Sequence, residues 1–515
     1  MRGTFRIKLI DINPGEDTVL LNPIDAEELG VRALNRVRVL KQGQALTALV
    51  ETSDTFVCPG EVGILKRAGH VIDLKDGDEV RVVPTGTPAS VEYIKKKMKG
   101  EELSGDEIRA IVKDMVDHKL SNVELTAYVV ANHIQEMNLR EIRDLTMAMV
   151  ETGEVIKFDR KPVFDFHSIG GCPGNKVTLL VVPIVAAAGL MIPKTCSRAI
   201  SSACGTADIM EVLANVSLST SQLKHIAEEV GGTIAWGGGV NIAPADDLII
   251  RVEYPLSIDP YSQVMASVMA KKKAVSADYF LLDIPLGPET KVKDEALAKR
   301  YTRDFIALGE QVGIKVAVAV TFGGQPVGRA IGPALEAREA LMALEGKEVS
   351  SSIIEKSTGL AGILLEMGGV APQGGGKNKA LELIKRGLAL KKLKEIIQAQ
   401  GGDPEITSEK VKIGEHSMNI LSREHGYASA LHNKAFVKIA RASGAPHDKG
   451  AGMVIHRKIG AAVEVGDPLM TIYADHKGKL EDAWKLAQEL RPIEIKGMIL
   501  EHVRPDMPLG NWSAL

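Results

Sequence analysis

The sequence predicts a multidomain α/β protein: an N-terminal β-rich domain, a small all-helical domain, a large α/β domain with a mixed, largely parallel sheet, and a C-terminal α/β lobe. Three observations carry this expectation. The chain has 515 residues, too many for one ordinary core, so about two to four domains are expected. Its periodicity changes along its length, from short β-rich runs before residue 85, to helical spacing over 91–150, to strands alternating with helices from 160 onward. Hydrophobic residues at 45% against charged residues at 25% give the balance of a globular protein with real cores.

Residues 1–85 hold FRIKLIDI, DTVLLN, RVRVLKQ, LTALVE, EVGILKRA and EVRVVP, each bounded by Gly, Asn, Asp or Pro. PTGTPAS (84–90) reads as a linker. GDEIRAIVKDMVDHKL then starts a helix after Ser104 and Asp106, both capping types. NVELTAYVVANHIQEM and LREIRDLTMAMVETG complete a helical domain over 90–155, joined by a second piece near 245–275. The central α/β domain takes 160–240 plus about 276–425. Its expected strands are KPVFDFHSI, PKTCSRAIS, GTIAWGG, DLIIRVEY, ADYFLLDI and IKVAVAVTF, with GTADIMEVLA as a helix. GGVAPQGGGKNK (368–379) is glycine-rich enough for a mobile lid, or is a flexible loop without function. The remainder, 426–515, forms the C-terminal α/β lobe, where SGAPHDKGAGMVIHRKIGAAVEVGDPLMTIYAD returns to short strands joined by Gly turns.

Charge and composition narrow the function. A net charge of −3 argues against broad nucleic-acid or anionic-membrane binding, so a small ligand is expected. Cys58, Cys172, Cys196 and Cys204 form no CxxC pair and read as buried or incidental thiols. No HxH, HExxH or carboxylate cluster points to a required metal. MRGTFRIKLIDINPG has no apolar core after its charges, so it does not read as a signal peptide. The apolar run over 177–193 contains Pro183 and Gly189 and is too short to span a bilayer. A buried helix in a cytoplasmic protein is the expectation.

Two turns carry the chemistry. HSIGGCPGNKVT (167–178) fails both common nucleotide loops: Asn175 separates Gly174 from Lys176, and GGCPG is not GxGxxG. The physics still favours an anion, since a strand runs through glycines into a helix N-terminus, with Ser168, Thr178 and Lys176 as further donors. A tight turn without ligand is the bland alternative. SRAISSACGTAD (197–208) makes a second such turn with Arg198, Ser201, Ser202 and Thr206 around small residues. Two hydroxyl-rich turns feeding helices suggest converging phosphate sites.

These turns resemble those of the thymidine/pyrimidine nucleoside phosphorylase family, with its H-S-x-G-G turn and later G-T-x-D turn. YPLSIDPYSQVMASVMAKKKAVSADYFLLDIPLGPETKV (254–292), VTFGGQPVGRAIGPALEAREAL (320–341) and SGAPHDKGAG continue the likeness, which covers roughly 90–515. NPIDAEELGVRALNRVRVL resembles the double-psi barrel at the N-terminus of AAA-type ATPases. Together with the GGxPGNK loop and the SRAI[ST]S turn, the extra N-terminal barrel makes the chain similar to the archaeal AMP phosphorylase branch.

The resemblance implies a nucleoside phosphorylase class II-like fold and the reaction AMP + phosphate → adenine + ribose 1,5-bisphosphate. CMP and UMP are implied as further substrates, in a nucleotide-salvage route through ribulose bisphosphate and an archaeal Rubisco. No cofactor is implied; inorganic phosphate is a co-substrate. Carried over by position, Gly171, Ser197, Arg198, Ala199, Ile200, Ser201, Ser202 and Thr206 would contact AMP. Ser267 and Lys291 would contact it from the other side of a cleft, and Asp259 would be the proton donor. Ser168, Lys176 and Lys271 are further candidates for phosphate contact; Lys272 and Lys273 read as a solvated face. Phe166 stands where the nucleoside branch has a phosphate-binding lysine, and Val252, beside Arg251, where it has a base-binding arginine. The family also implies a homodimer through the helical lobe, and larger assemblies.

Three rivals remain at this point. An ordinary thymidine or uridine phosphorylase is opposed by Phe166 and the lengthened loop. An anthranilate-type phosphoribosyltransferase should carry an Asp-Glu metal pair, where LLDIPLG has only Asp283. A non-catalytic scaffold using the barrel for partner proteins would leave both turns without purpose.

Overall fold

In the computed structural model, residues 3–13, 15–65, 73–199, 202–240 and 242–499 are described. The chain forms two units, one from 1–154 plus 241–274, the other from 155–240 plus 275–515.

In the first unit, strands Thr4–Ile10, Thr18–Leu21, Arg36–Lys41, Gln44–Thr52, Glu61–Leu65 and Glu79–Thr85 close into a barrel. Closure comes from antiparallel pairing of Thr4–Ile10 with Glu79–Thr85, while Thr4–Ile10 and Glu61–Leu65 run parallel. Alternation explains the inside: Phe5, Ile7, Val37, Val39, Val80 and Val82 are buried while Thr4, Arg6, Lys8, Arg38, Glu79 and Arg81 face out. Helix Pro23–Leu29 bridges two of the strands, opened by the Asn22 side chain and closed by Gly30 at φ 68°.

Helices Ala89–Met98, Gly105–Val116, Asn122–Gln135, Leu139–Glu151, Pro244–Leu256 and Tyr261–Ala274 complete this unit. Three of them start at full capping boxes, Ser104 with Glu107, Ser121 with Glu124 and Asn138 with Glu141. Asp106, expected as a cap, instead lies in the first turn, where it favours the positive helix end. DLIIRVEY, expected as a strand, is helical. Its β-branched run is overridden by Pro244 at the helix start, two aspartates in the first turn, and a buried face of Ala245, Ile249 and Val252. Barrel and bundle are tied by Arg36 to Glu124 and to the Lys119 carbonyl, and by Arg251 to the Gly15 carbonyl at 2.8 Å and Asn122 at 2.9 Å.

In the second unit, Lys315–Phe322, Tyr279–Leu286 and Phe164–Ser168 form a parallel sheet in that order. Ile192–Cys196 and Gly232–Trp236 form a parallel pair, joined to it by a parallel bridge between Val163 and Met191. Helix Thr178–Ala187, apolar on every side, is buried beneath helices Ser351–Met367 and Leu388–Ala399. No helix among the described residues is long and apolar enough to cross a membrane.

The segment 368–379 is not built as a lid. Its glycines let helix Gly376–Lys385 cross Ser351–Met367 at backbone contact, a Cβ on Gly376 meeting the Gly362 carbonyl oxygen at 2.1 Å. A Cβ on Gly362 would meet the Lys377 nitrogen at 2.4 Å. Gly362→Ala is therefore expected to destabilise the protein by about 1–3 kcal/mol or more; an unchanged melting temperature would show that the crossing can open.

The C-terminal lobe begins earlier than residue 426. Strand His416–Leu421 pairs with Pro468–Ala474, and Ala330–Ile331 joins the same sheet through Gly452–Ile455. HSMNIL buries only Ile420, so its polar sequence hides a strand that only pairing reveals. A second sheet of Ala462–Val463, Gly426–Leu431 and Ile493–Lys496, with helices Asn433–Ala442 and Lys477–Leu490, completes the lobe around Phe436, Ile439, Met453 and Ile472.

Candidate active site

Because these strands run parallel, Ser168, Cys196, Trp236, Leu286 and Phe322 all end at one edge of the second unit. The carboxyl edge of an open α/β sheet is where ligands bind, since glycine turns and helix starts gather there. Both predicted turns leave from it. In the first, Asn175 donates to the Ser168 hydroxyl at 2.8 Å, and the Ile169 amide donates to the Asp283 carbonyl at 2.9 Å. Gly171 has φ 88° and lies so close to residues 290–291 that a Cβ would meet the Lys291 nitrogen at 2.5 Å. The fold thus brings Gly171 beside Lys291, an exposed residue. The start of the following helix is partly spent: the Leu179 and Leu180 amides already donate to the carbonyls of Lys176 and Val177.

Lys176 corrects the sequence expectation. Its side chain is 0% exposed, and its ammonium donates to the carbonyls of Val327 at 3.2 Å and Ala330 at 2.9 Å and to Glu339 at 2.5 Å. Three donors are satisfied by three protein oxygens, so Lys176 is a clamp and not a phosphate contact. Although burial opposes the charged form, Lys176 and the amides of Ala330 and Arg329 hold the Glu339 carboxyl below its usual value. From the C-terminal lobe, Lys458 donates to the carbonyls of Pro326 and Gly328; burial, with the Lys176 charge nearby, lowers its pKa to about 8. Two lysines therefore lock the 325–330 turn, and through the Val327 amide bond to the Pro173 carbonyl they lock the first turn with it.

The second turn is folded around Asp208, whose carboxylate accepts the amides of Ala199 and Gly205, both at 2.8 Å. Ser197 contributes its carbonyl to the Ala207 amide, and Ser202 is held through its carbonyl by Arg441. Thr206 begins the helix Thr206–Met210. Cys204 donates its thiol to Glu336 at 2.9 Å; burial first, then Glu336, pushes that thiol well above its usual pKa. Arg198 points its guanidinium at Glu211, at 2.5 and 2.8 Å, and lies 4.9 Å from the Trp236 ring centroid. Ile200 and Ser201 lie outside the described residues.

Phe166 is fully buried in the core. Cys172 is buried, and its thiol contacts the Gln325 carbonyl at 3.2 Å; all four cysteines are free thiols. Asp283 is buried between Thr321 at 2.6 Å and Lys356 at 2.9 Å.

The first unit carries the other predicted residues. Asp259 is exposed in the connection between helices Pro244–Leu256 and Tyr261–Ala274, following a helix and not the expected strand. Ser267 and Lys271 share one face of the second helix, 3.3 Å apart, but Lys271 is paired with the buried Asp246 at 2.5 Å. A phosphate could draw on Lys271 only against that carboxylate. Lys272 is 1% exposed, so the three lysines are not a solvated face as expected. Val252 is buried and Arg251 holds the barrel, so neither position supplies an arginine for a base.

Sequence reasoning missed Asn175, Glu211, Trp236 and Lys449, whose ammonium lies 2.7 Å from Glu211. The signal for Lys449 was present in SGAPHDKGAG, a turn too tightly punctuated to be a plain loop.

Comparison with known proteins agrees with this anatomy. Residues 91–153 match the glycosyl transferase family helical bundle domain, 160–246 its a/b domain, and 427–494 the pyrimidine nucleoside phosphorylase C-terminal domain. The chain is 52% identical over 497 residues to AMP phosphorylase 1 of Archaeoglobus fulgidus, covering 96% of this chain and 98% of that one. It is 50% identical over 498 residues to the AMP phosphorylase of Thermococcus kodakarensis, covering 97% and 99%. Among solved structures, anthranilate phosphoribosyltransferase from Thermus thermophilus superposes with a TM-score of 0.52 at 20% identity, over 60% of this chain and 98% of that one. At that identity the likeness speaks for the fold alone.

Proposed function

The chain belongs to the AMP phosphorylase family, and on that premise we propose that it is a glycosyltransferase that converts AMP and phosphate into adenine and ribose 1,5-bisphosphate. The near full-length identity of about half its residues to AMP phosphorylases carries this reading. CMP and UMP are proposed as further substrates, and a homodimer in the cytoplasm as the working form.

In the reaction a phosphate oxygen bonds to C1′ as the C1′–N9 bond breaks, through an oxocarbenium-like transition state. Adenine leaves poorly as an anion, so Asp259 donates a proton to the purine and is left as carboxylate. The net proton comes from the hydrogen phosphate consumed, which restores Asp259. Asp259 must carry that proton when the base departs.

AMP and phosphate bring about four negative charges. The second turn with Arg198, the Ser168–Gly171 segment and Lys291 are the proposed counterweight at the carboxyl edge. Lys176 acts from behind, by holding the first turn in place.

The test is adenine release from AMP by the purified protein with and without phosphate, beside adenosine and thymidine. Release from AMP that requires phosphate is expected. Release from nucleosides alone would move the protein to the nucleoside branch, and no release at all would end the phosphorylase reading.

A further inference from the structure

Glu211 is where three separate segments meet. Its Oε1 accepts Arg198 Nη2 at 2.5 Å, and its Oε2 accepts Arg198 Nη1 at 2.8 Å and Lys449 Nζ at 2.7 Å. The Arg198 guanidinium is also placed over the Trp236 ring. That indole is packed against the following turn so closely that a Cβ on Gly238 would lie 2.8 Å from its Cε2 and Cζ2 atoms. Arg198 is thus oriented by an aromatic plane that cannot shift toward Gly238.

Lys449 is equally fixed. Its carbonyl accepts the Ala334 amide at 3.0 Å, and the next residue, Gly450, donates to Asp475. A Cβ on Gly450 would meet the Gly414 nitrogen at 2.6 Å, so the turn has no room to move. The SGAPHDKGAG segment, which the proposed reaction left without a task, delivers an ammonium to the same carboxylate as the second turn. With both cations upon it, the Arg198 hydrogen bond first, the Glu211 carboxyl is pulled down to about 2.

A carboxylate gripped edge-on by a guanidinium presents the same two-oxygen edge as a phosphate. A planar fork and a point cation converging on one such edge form a receptor for a dianion. We propose that Lys449, together with Arg198, binds a phosphate dianion at the carboxyl edge, and that Glu211 is the internal anion that holds the two cations in register until the ligand takes them. Lys449 is then a specificity-determining residue, since two cations on one oxyanion favour a dianion over a neutral hydroxyl. This rests on the reading of the second turn as part of an AMP phosphorylase site. The phosphate is either the nucleotide's 5′ group or the inorganic co-substrate, and the kinetics separate them.

The experiment varies AMP at fixed phosphate, and phosphate at fixed AMP, for the full-length protein and for Lys449→Met, Lys449→Arg and Glu211→Gln. Melting curves accompany each variant. Lys449→Met is expected to raise one of the two KM values by about 10–100-fold, the worth of a charge-assisted hydrogen bond, with a smaller change in kcat. Lys449→Arg recovers most of that loss, and Glu211→Gln lowers the same KM because the anion nearest both cations no longer competes, with only Asp208 left at 3.3 Å from Arg198 and 3.9 Å from Lys449. A shift in the KM for AMP assigns the 5′-phosphate; a shift in the KM for phosphate assigns the co-substrate. Both KM values unchanged in Lys449→Met would overturn the proposal, as would Glu211→Gln raising the KM that Lys449→Met raises. If the wild-type protein released no adenine, the activity would fall independently; calorimetric titration of AMP and of inorganic phosphate into wild type and Lys449→Met would still decide this one.

Discussion

Asp259→Asn is expected to lower kcat for adenine release from AMP by about 10²–10⁴-fold, the usual worth of a positioned general acid. The amide matches the carboxyl in size but cannot deliver a proton to the departing purine. Asp259 is exposed on an interhelical connection, so the substitution should leave the melting temperature unchanged. KM for phosphate should move little, because the loss falls on the transition state and not on ground-state binding. A leaving group that needs no protonation sharpens the test: an AMP analogue with a more acidic base should lose much less activity in the variant. Retention of near wild-type kcat with AMP would remove Asp259 from the chemistry and turn attention to another acid in the first unit.

Lys176→Ala should destabilise the protein by about 3–5 kcal/mol, as expected when one partner of a buried ion pair is removed. Glu339, 9% exposed, would keep the Arg329 and Ala330 amides but lose its cation, and the carbonyls of Val327 and Ala330 would lose their donor. The first turn is fastened to this same point, so activity should fall because Ser168 and Gly171 lose their placement. A substrate contact would give the opposite pattern, a raised KM with an unchanged melting temperature. Pairing Lys176→Met with Glu339→Gln should recover part of the stability, since no charge is then left buried alone. A double variant no more stable than Lys176→Ala would refute the clamp.

These residues also divide what local sequence could reveal from what it could not. Ser104, Ser121 and Asn138 announce helix starts because a cap and its acidic partner lie three residues apart, within reach of local geometry. The barrel strands are legible for the same reason, their alternation being a property of neighbouring residues. DLIIRVEY misled because β-branched residues prefer strands only weakly, and burial against other helices outweighs that preference. HSMNIL was silent because its partner strand lies some fifty residues on.

By itself, the sequence determined the fold class, the two hydroxyl-rich turns and the class of chemistry, since turn geometry, periodicity and family motifs are written within short windows. Only the tertiary structure decided what each charge does. The partners of Lys176 lie 151, 154 and 163 positions away, and those of Arg251 lie 236 and 129 positions away. A lysine in a glycine loop reads as a ligand for phosphate until a buried carboxylate and two carbonyls arrive to take its three protons. Lys449 reads as loop punctuation until Glu211 stands beside it. A cation's role depends on which anion comes within hydrogen-bond distance and on how much water is excluded there, and both are set by packing across the whole chain.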